Sequence, residues 1–374
     1  MPEVVDSDTG LVQAAALLAQ GEGVLGVDAE RAGSYRYSQR AYLIQVYRRH
    51  APVLLLDPVP IADFSPLADV LAADTWVMQA AHNDLECLAE VGLRPGTMFD
   101  TEIAGQLLGL EKVGLAALVE SQLGYTMRKS HGQADWSRRP LKKSWLEYAV
   151  FDVLVLPDLE DALRTHLEEA GKTDWAEQEF AHQIRERPAA DPAARWRRTG
   201  GAGRLRNARQ RGALKALWHH RDEIARSRDI AWHRVIRDQA MVELARVLPR
   251  STEDLTAIED VPANVKSDAA GWIRVIAAGA DDPQDVAERV EGPPARSLRS
   301  WEQRDPEAAK RWVAARQAIT QRAEELRVWP QTLLAADVVA DLAWAPPDDV
   351  TVRMIQLGAR QWQIDNTADI FDQT

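Results

Sequence analysis

The order of strand-like and helix-like segments in the first 110 residues limits the fold more than any other feature of this sequence. Three apolar runs with strand character, at residues 24–29, 41–47 and 52–58, follow one another with only short connections. Two further runs, at 76–81 and 97–101, are separated from their neighbours by helix-like segments. Strands that are first adjacent and then alternate with helices favour a mixed sheet with helices on its faces. We therefore predict an α/β domain with a mixed five-stranded sheet.

The remainder of the chain reads as helical. Residues 145–170 form a long helical pattern, which Pro157 is expected to kink or divide. Residues 186–206 are rich in Pro, Gly and Arg, as linkers are. Beyond them the pattern is all-helical, and a weak internal repeat with a boundary near residue 293 indicates two small all-α helical bundles in tandem.

Bulk composition excludes several classes of protein. Hydrophobic residues make up 46% and charged residues 27% of the 374 residues, which fits a globular protein of two or three domains. The single cysteine, Cys87, allows no disulfide framework and no thiolate zinc site within one chain, and indicates a reducing compartment. The acidic N-terminus lacks the basic region of a signal peptide. No apolar run approaches the roughly 18 residues of a membrane span, so we expect a cytoplasmic protein without a membrane partner.

One segment departs strongly from the overall charge. The whole chain has a formal net charge of −12, which argues against a protein that coats nucleic acid non-specifically. Residues 195–237, in contrast, hold thirteen Lys and Arg residues and only three Asp and Glu residues. A solvated helical face and an RNA-binding surface both explain such a local excess, so this basic segment is a candidate RNA contact.

Two acidic residues close the first strand-like run. Asp28 and Glu30 are two positions apart, so their side chains share one face of a strand. The Asp-x-Glu pattern alone proves nothing, because it occurs four more times in the chain. At the end of a buried strand, however, two adjacent carboxylates repel each other unless a cation neutralises them. Hard oxygen ligands of this kind suit Mg2+ or Mn2+.

Further acidic residues follow on other elements. Asp84 lies just after the buried run at 76–81, where α/β proteins bind ligands, although it could serve only as a helix cap. Tyr148 and Asp152 are four apart and share a helical face, although a core tyrosine beside an exposed aspartate gives the same pattern. Each of these signals is weak when it is taken alone.

In combination, these motifs resemble a known family. VDAE at 27–30, HNDLECL at 82–88 and YAVFD at 148–152 resemble, in this order, the DEDDy group of 3′-5′ exonucleases, which has a ribonuclease H-like fold. LIQ at 43–45 and DWSRRPL at 135–141 narrow the resemblance to the ribonuclease D family. The segment that follows the linker resembles the helicase-and-RNase-D C-terminal (HRDC) domain, and the last eighty or so residues resemble the extra helical domain of actinobacterial relatives.

The resemblance implies a domain organisation. It implies a DEDDy exonuclease domain at residues 1–180, a basic linker at 181–207, an HRDC domain at 208–290 and a second HRDC-like bundle at 291–374.

The resemblance also implies roles for five residues. It implies that Asp28, Glu30, Asp84 and Asp152 hold two divalent metal ions, Mg2+ or Mn2+, and that Tyr148 orients the attacking water. The tyrosine hydroxyl, with an ordinary pKa of about 10, is better suited to orienting water than to acting as a strong base.

The first motif departs from the family pattern at two positions. Many relatives have Thr at the position of Ala29 and an aromatic residue at that of Arg31. We expect the side chain of residue 29 to point away from the metals. The resemblance implies that the aromatic residue packs near the terminal nucleotide, so we expect Arg31 in its place to alter the fit of the substrate.

Four other residues are candidate substrate contacts. Gln45 could hydrogen-bond the terminal ribose or base, and Tyr35 could stack on a base. Arg138 and Arg139 precede the Tyr148 helix, and one of them could contact the substrate phosphate. Local packing is the favoured explanation of the tyrosine, and ordinary surface charge explains the arginines equally well.

The sequence therefore predicts a metal-dependent 3′-5′ exoribonuclease that trims the 3′ ends of structured RNA, such as tRNA precursors, and releases nucleoside 5′-monophosphates. The expected partner is the single-stranded 3′ tail of such an RNA. A 3′-5′ DNA exonuclease is the first alternative, because the chemistry does not choose the sugar. A non-catalytic RNA-binding module with a relic site is the second.

Overall fold

The computed structural model describes residues 2–127, 132–185, 192–283, 293 and 297–371. The chain divides into two compact units. The first unit comprises Met1–Glu30, Arg40–Glu186 and Gly292–Thr374, and the second comprises Arg31–Gln39 and Arg187–Glu291. Among the described helices, none combines the length and the apolar character needed to cross a membrane.

The first unit is built on one mixed sheet with the strand order β1-β4-β3-β2-β5-β6. Strand β3 pairs antiparallel with β4, whereas β2 pairs parallel with β5, and β5 parallel with β6. The strands are β1 (Val4–Val5), β2 (Glu22–Arg31), β3 (Ala41–Arg49), β4 (Leu54–Leu56), β5 (Thr75–Met78) and β6 (Thr97–Asp100).

The mixed sheet with helices is confirmed, with one correction: it has six strands rather than the five predicted. The additional strand, β1, is two residues long and pairs parallel with β4 at the edge of the sheet. A strand of this length shows no alternation of apolar and polar residues, so the sequence pattern does not reveal it.

Eight α-helices are described before residue 186, and the first of them alternate with the strands. They are α1 (Asp8–Leu18), α2 (Ser65–Leu71), α3 (Leu85–Glu90), α4 (Thr101–Leu107), α5 (Leu115–Leu118), α6 (Lys143–Leu154), α7 (Leu156–Glu169) and α8 (Thr173–Ile184). The long helical pattern is divided between α6 and α7, as predicted. Pro157 lies in the first turn of α7, where its missing N–H costs no helical hydrogen bond.

The two faces of the sheet bury different cores. Leu25, Val27 and Ala29 of β2 belong to a cluster with α1 and α2. The other face packs on α6 and α7 through a cluster that includes Val153 and Leu156. Since consecutive residues of a strand point to opposite faces, the even-numbered residues of β2 face α6 and α7.

The second unit is a helical bundle. Its helices are α9 (Ala208–Arg228), α10 (Trp232–Val235), α11 (Asp238–Val247), α12 (Thr252–Thr256), α13 (Ala263–Ser267) and α14 (Ala269–Asp281). Helices α9 and α14 approach closely at Gly212 and Gly279, where a Cβ built on Gly279 would lie 2.5 Å from the Gly212 carbonyl oxygen. Within the segment predicted as a linker, Trp196 and Leu205 are buried in the core of this bundle.

The last helices of the chain belong to the first unit. They are α15 (Leu298–Arg304), α16 (Pro306–Leu326), α17 (Pro330–Leu333), α18 (Ala336–Trp344), α19 (Val350–Gln356) and α20 (Gln361–Phe371). Trp312 and Trp362 share one core cluster with Leu163 of α7. The predicted boundary at residues 290 and 291 lies outside the described residues.

Polar contacts hold these helices against the earlier part of the same unit. The Trp329 indole N–H donates to the carbonyl oxygen of Leu110 at 2.8 Å. The Nζ of Lys172 is buried and donates to the carbonyl oxygens of Leu107 and Arg327, at 2.7 and 2.9 Å. Burial lowers the pKa of Lys172 to about 8.

Candidate active site

The acidic pair of the first motif lies where the pattern predicted. Asp28 and Glu30 are near the carboxyl end of β2, on the face that packs against α6 and α7. Glu30 is buried, and Asp28 is partly exposed. Ala29, between them, is 7% exposed and packs into the opposite core, as expected for a side chain that points away from the acids.

A glycine on the same strand allows α6 to come close. Gly26 lies on the face of Asp28, two residues before it. A Cβ built on Gly26 would lie 2.7 Å from the carbonyl oxygen of Val153. That oxygen belongs to the residue after Asp152, so this contact sets the distance between Asp152 and the strand. Gly26 is a positioning residue that the sequence patterns did not single out.

The Gly26→Ala variant should therefore displace Asp152. The added methyl group must push back a backbone atom, which costs about 1–3 kcal/mol in a well-packed core. We expect the exonuclease activity to fall by about tenfold, because small displacements of reacting groups lower rates steeply. Gly114→Ala is the matched control, because a Cβ at that glycine meets nothing within 4 Å. Equal activities of the two variants would show that Gly26 does not set the site geometry.

Three carboxylates converge at this point. One oxygen from each of Asp28, Glu30 and Asp152 lies within 4.8 Å of the others. Burial, followed by the charge of Asp28, raises the pKa of Asp152 to about 8. Negative groups held this close oppose one another unless a cation joins them, and oxygen ligands in this arrangement fit Mg2+ or Mn2+. The residues present therefore fit a divalent metal site.

Tyr148 lies one helical turn before Asp152, and its hydroxyl donates to the Asp152 carboxylate. Burial, then the charge of Asp152, raises the pKa of Tyr148 well above its usual value. Glu30 and Asp28 act in the same direction. The phenol therefore stays protonated at neutral pH and can hold a water molecule, but it is a poor base.

Asp84 lies at the first position before α3 and is 6% exposed. It makes no side-chain capping hydrogen bond to that helix, so capping does not account for its burial. It is not one of the three clustered carboxylates. Strand β5, which precedes it, runs parallel to β2, so the carboxyl ends of both strands lie at the same end of the sheet. Asp84 follows the carboxyl end of β5, and Asp28 and Glu30 lie near the carboxyl end of β2.

Asp100 fixes the turn that leads to Asp84, and sequence reasoning did not single it out. It is fully buried at the end of β6. Its carboxylate accepts the backbone N–H groups of Ala80 and Ala81 at 3.1 and 2.9 Å, and that of Glu102 at 2.9 Å. Burial raises its pKa. Ala80 has the left-handed φ of +53°, which these hydrogen bonds help to hold.

Gln45 is fully buried on β3. Its neighbours Ile44 and Val46 pack in the opposite core, so the Gln45 side chain is on the sheet face of Asp28. Within the described part of the chain, neither polar atom of its amide has a hydrogen-bond partner. A buried amide without partners costs about 1–3 kcal/mol. Such a group is available to a ligand.

An open cavity of about 680 Å³ adjoins the site. Tyr148 lines it together with Tyr125 and Phe151. Tyr125 and Phe151 are large aromatic side chains that are 64% and 56% exposed, respectively. The cavity therefore offers apolar, aromatic surface beside Tyr148.

The three other candidate substrate contacts have interaction partners within the chain. The Arg139 guanidinium donates to both carboxylate oxygens of Asp57, at 2.5 and 2.7 Å, and to the Tyr42 carbonyl at 2.8 Å. These bonds give it a structural role that accounts for its position. Arg138 is exposed and forms an ion pair with Asp135 at 3.1 Å. Tyr35 belongs to the second unit, where the Arg234 guanidinium stacks on its ring at 4.6 Å.

Sequence-family models match three parts of the chain. Residues 2–168 match the family model described as 3′-5′ exonuclease. Residues 210–276 match that of the HRDC domain. Residues 292–374, predicted as a second HRDC-like bundle, match the model described as 3′ to 5′ exonuclease C-terminal domain.

Individual relatives carry the name ribonuclease D. The ribonuclease D of Sphingobium indicum is 31% identical over 302 residues, which covers 79% of this chain and 76% of the relative. That of a Shewanella strain is 32% identical and covers 70% and 68%, respectively. That of Pseudomonas paraeruginosa is 34% identical and covers 62% of each chain.

Two solved structures share the fold along the entire chain. A protein from Bifidobacterium adolescentis superposes with a TM-score of 0.82 at 30% identity, covering 100% of this chain and 96% of that one. Escherichia coli RNase D, described as an exoribonuclease involved in structured RNA processing, superposes with a TM-score of 0.78 and covers 100% and 98%. At 24% identity, the latter likeness shows the fold alone. The sequence and structural relationships together lead to one conclusion: the chain belongs to the ribonuclease D family of 3′-5′ exonucleases.

Proposed function

We propose that this protein is a metal-dependent exoribonuclease that removes nucleotides one at a time from the 3′-hydroxyl end of RNA. The observation that carries the proposal is the cluster of Asp28, Glu30 and Asp152, with Tyr148 hydrogen-bonded to it. Relatives named ribonuclease D support RNA as the substrate class. Trimming of the 3′ tail of structured RNA, such as tRNA precursors, is part of the proposal.

The proposed site holds two divalent cations, Mg2+ or Mn2+, on four carboxylates. Asp28, Glu30 and Asp152 are the clustered ligands, and Asp84 is the proposed fourth. When bound, the two cations stabilise the attacking and leaving oxygens of an in-line displacement at phosphorus. Four carboxylates would formally balance the +4 charge of two bound ions, so the loaded site would be near neutral and would not repel a phosphodiester.

The side chains of the protein orient the reactants. Tyr148 keeps its proton, so its hydroxyl oxygen can accept a hydrogen bond from the attacking water and align it with the phosphorus. The water oxygen forms the new P–O bond while the bond to the 3′ oxygen breaks. The leaving 3′ oxygen ends as the hydroxyl of the shortened RNA, and the product is a nucleoside 5′-monophosphate.

Two further features, one on β3 and one next to Tyr148, favour a nucleotide. The amide of Gln45 is proposed to hydrogen-bond the ribose or base of the terminal nucleotide, which would supply its missing partners. The aromatic cavity of Tyr125 and Phe151 offers stacking surface for an unpaired base.

The test is stepwise shortening of RNA. Purified full-length protein, incubated with 3′-hydroxyl RNA and Mn2+ or Mg2+, should release nucleoside 5′-monophosphates, and EDTA should abolish the release. We expect a DNA strand of the same sequence to be shortened about tenfold more slowly, the effect of losing one hydrogen bond to a 2′-hydroxyl. Equal or faster cleavage of DNA would support the alternative of a DNA exonuclease. RNA binding without any product would support a relic site.

A further inference from the structure

The second unit contains a cavity of about 840 Å³ with a strongly basic lining. Its wall is formed by the 31–39 segment, the turn at 195–199, helix α9 and residues 231–238. We call the lining arginines the arginine pocket; they are Arg36, Arg195, Arg198, Arg221 and Arg237. Among the described residues of this lining, Asp238 is the single acidic one, and His233 also contributes to it.

We propose that the arginine pocket binds one nucleotide unit of a single-stranded RNA, with the phosphate at the arginines and the base on Trp232. The proposal rests on the proposed RNA substrate and deepens it, because it assigns a second contact away from the clustered carboxylates. Within a chain of net charge −12, five arginines around one cavity select an anion.

Three of the arginines are available to a phosphate. Arg195, Arg198 and Arg237 are exposed and, among the described residues, form no ion pair. Arginine guanidinium groups bind phosphate oxygens through two parallel N–H donors, which makes them well suited to a phosphodiester.

Two buried hydrogen-bond donors in the wall of the cavity are a second, independent indication of a ligand. Arg221 is 5% exposed, and its Nη1 donates to Asp238 at 2.5 Å. In the described part of the chain, its Nε has no hydrogen-bond partner. The hydroxyl of Thr199, which is 6% exposed and also lines the cavity, has none either. Phosphate oxygens would provide the acceptors that these donors lack.

An ordered aromatic wall completes the pocket. The Trp232 indole N–H and the Tyr37 hydroxyl both donate to one carboxylate oxygen of Asp222, at 3.1 and 3.0 Å. The two rings meet edge to face with centroids 5.9 Å apart. Trp232 nevertheless remains 39% exposed. Its orientation is fixed before binding, so a base can stack on it at a small entropic cost.

The pocket is also linked along the chain to the strand of the active site. Residues 31–39, which supply Arg36 and Tyr37, begin directly after Glu30. A nucleotide held by this segment is therefore bound by residues that continue the metal-binding strand. A single-stranded RNA fits the pocket better than a free anion, because the pocket combines phosphate donors with a stacking surface.

The experiment measures binding of an unstructured 20-nucleotide RNA to the full chain in EDTA, so that no hydrolysis occurs. The test variant is Arg198→Ala/Arg237→Ala, and the matched control is Arg206→Ala/Arg209→Ala, which removes two exposed arginines of the same basic segment outside the pocket. We expect Kd to rise about tenfold or more in the test variant and less than about threefold in the control. The slope of log Kd against log salt should fall by about 0.7, for the one phosphate of a single strand that the pocket binds.

A third variant tests the stacking surface. Trp232→Leu should weaken RNA binding about fivefold or more. RNA should also quench the tryptophan fluorescence of this variant less than that of the unaltered protein. Equal losses in the test and control double variants would overturn the proposal. Displacement of the RNA by micromolar adenosine 5′-monophosphate would also overturn it, in favour of a free nucleotide ligand.

Hydrolysis of a trinucleotide with Mn2+ separates this proposal from the proposed function. The pocket variants should hydrolyse it at the rate of the unaltered protein, since a trinucleotide is too short to depend on a second contact. A trinucleotide rate that falls in parallel with the affinity for long RNA would overturn the pocket as a separate contact. If the unaltered protein hydrolyses no RNA, the proposed function fails, while the binding experiment still decides the pocket.

Discussion

The Asp152→Asn variant should lose at least about 100-fold in exonuclease activity and, without metal, unfold at a higher temperature than the unaltered protein. The loss of activity follows from the position of Asp152 among the three clustered carboxylates and from its hydrogen bond to Tyr148. Removal of one group that stabilises a transition state typically costs about 10²–10³-fold. The amide keeps the size of the side chain and removes only its charge.

The gain in stability follows from the pKa of the same group. Burial and the charge of Asp28 raise the pKa of Asp152 to about 8 in the folded protein, whereas an unfolded aspartate has a pKa near 3.9. The folded state therefore binds the proton more tightly. Without metal, the ionised carboxylate opposes folding, and stability should fall as the pH rises from about 4 to about 8. The Asn variant should lack this dependence and be the more stable protein at pH 8.

Thermal unfolding with and without Mn2+ measures the change in stability and the loss of metal binding. Metal should raise the unfolding temperature of the unaltered protein, because it binds the folded state, and should raise that of Asp152→Asn much less. Asp69→Asn, an exposed carboxylate on α2, is the control and should change neither activity nor unfolding. Activity within tenfold of normal, or a metal-free Asn variant that is less stable at pH 8, would contradict the assignment.

The predicted parts of this site are those that depend on local pattern. An apolar run of period two places Asp28 and Glu30 on one strand face, and four-residue spacing places Tyr148 above Asp152 on one helix face. Both relations are fixed within a single element, so the sequence alone contains them. The convergence of the two elements is not local, and it was inferred from the family resemblance.

The parts that were missed depend on contacts between distant segments. Gly26 matters because the carbonyl of Val153 lies where its Cβ would be, and Asp100 matters because its carboxylate accepts N–H groups from the turn at 80–81. Neither position is marked by a sequence motif, since glycine and aspartate are common at the ends of strands and at helix caps. The arginine pocket likewise requires the 31–39 segment to meet a bundle more than 150 residues later in the chain.

The attachment of the last helices gives the second large prediction: Glu179→Ala should destabilise the first unit by about 3–5 kcal/mol. Glu179 of α8 is 5% exposed. Its carboxylate accepts two hydrogen bonds from the Arg360 guanidinium, each 2.7 Å, and one from the Trp362 indole N–H, also 2.7 Å. Truncation would leave a largely buried cation and a buried N–H group without an acceptor, which is the costly way to break an ion pair.

The measurement is denaturant or thermal unfolding together with limited proteolysis of the last helices. We expect the unfolding temperature to fall by roughly 5–10 °C and cleavage after about residue 297 to become faster. Glu177→Ala, which changes an exposed glutamate on the same helix, should leave both unchanged.

The Glu179→Met/Arg360→Met double variant should recover part of the lost stability, because it removes both charges from the interior instead of leaving one charge buried without a partner. If the double variant is as unstable as the sum of the two single variants, the ion pair does not act as a unit, and packing of Trp362 against Trp175, whose rings stack 4.7 Å apart, must fasten these helices instead.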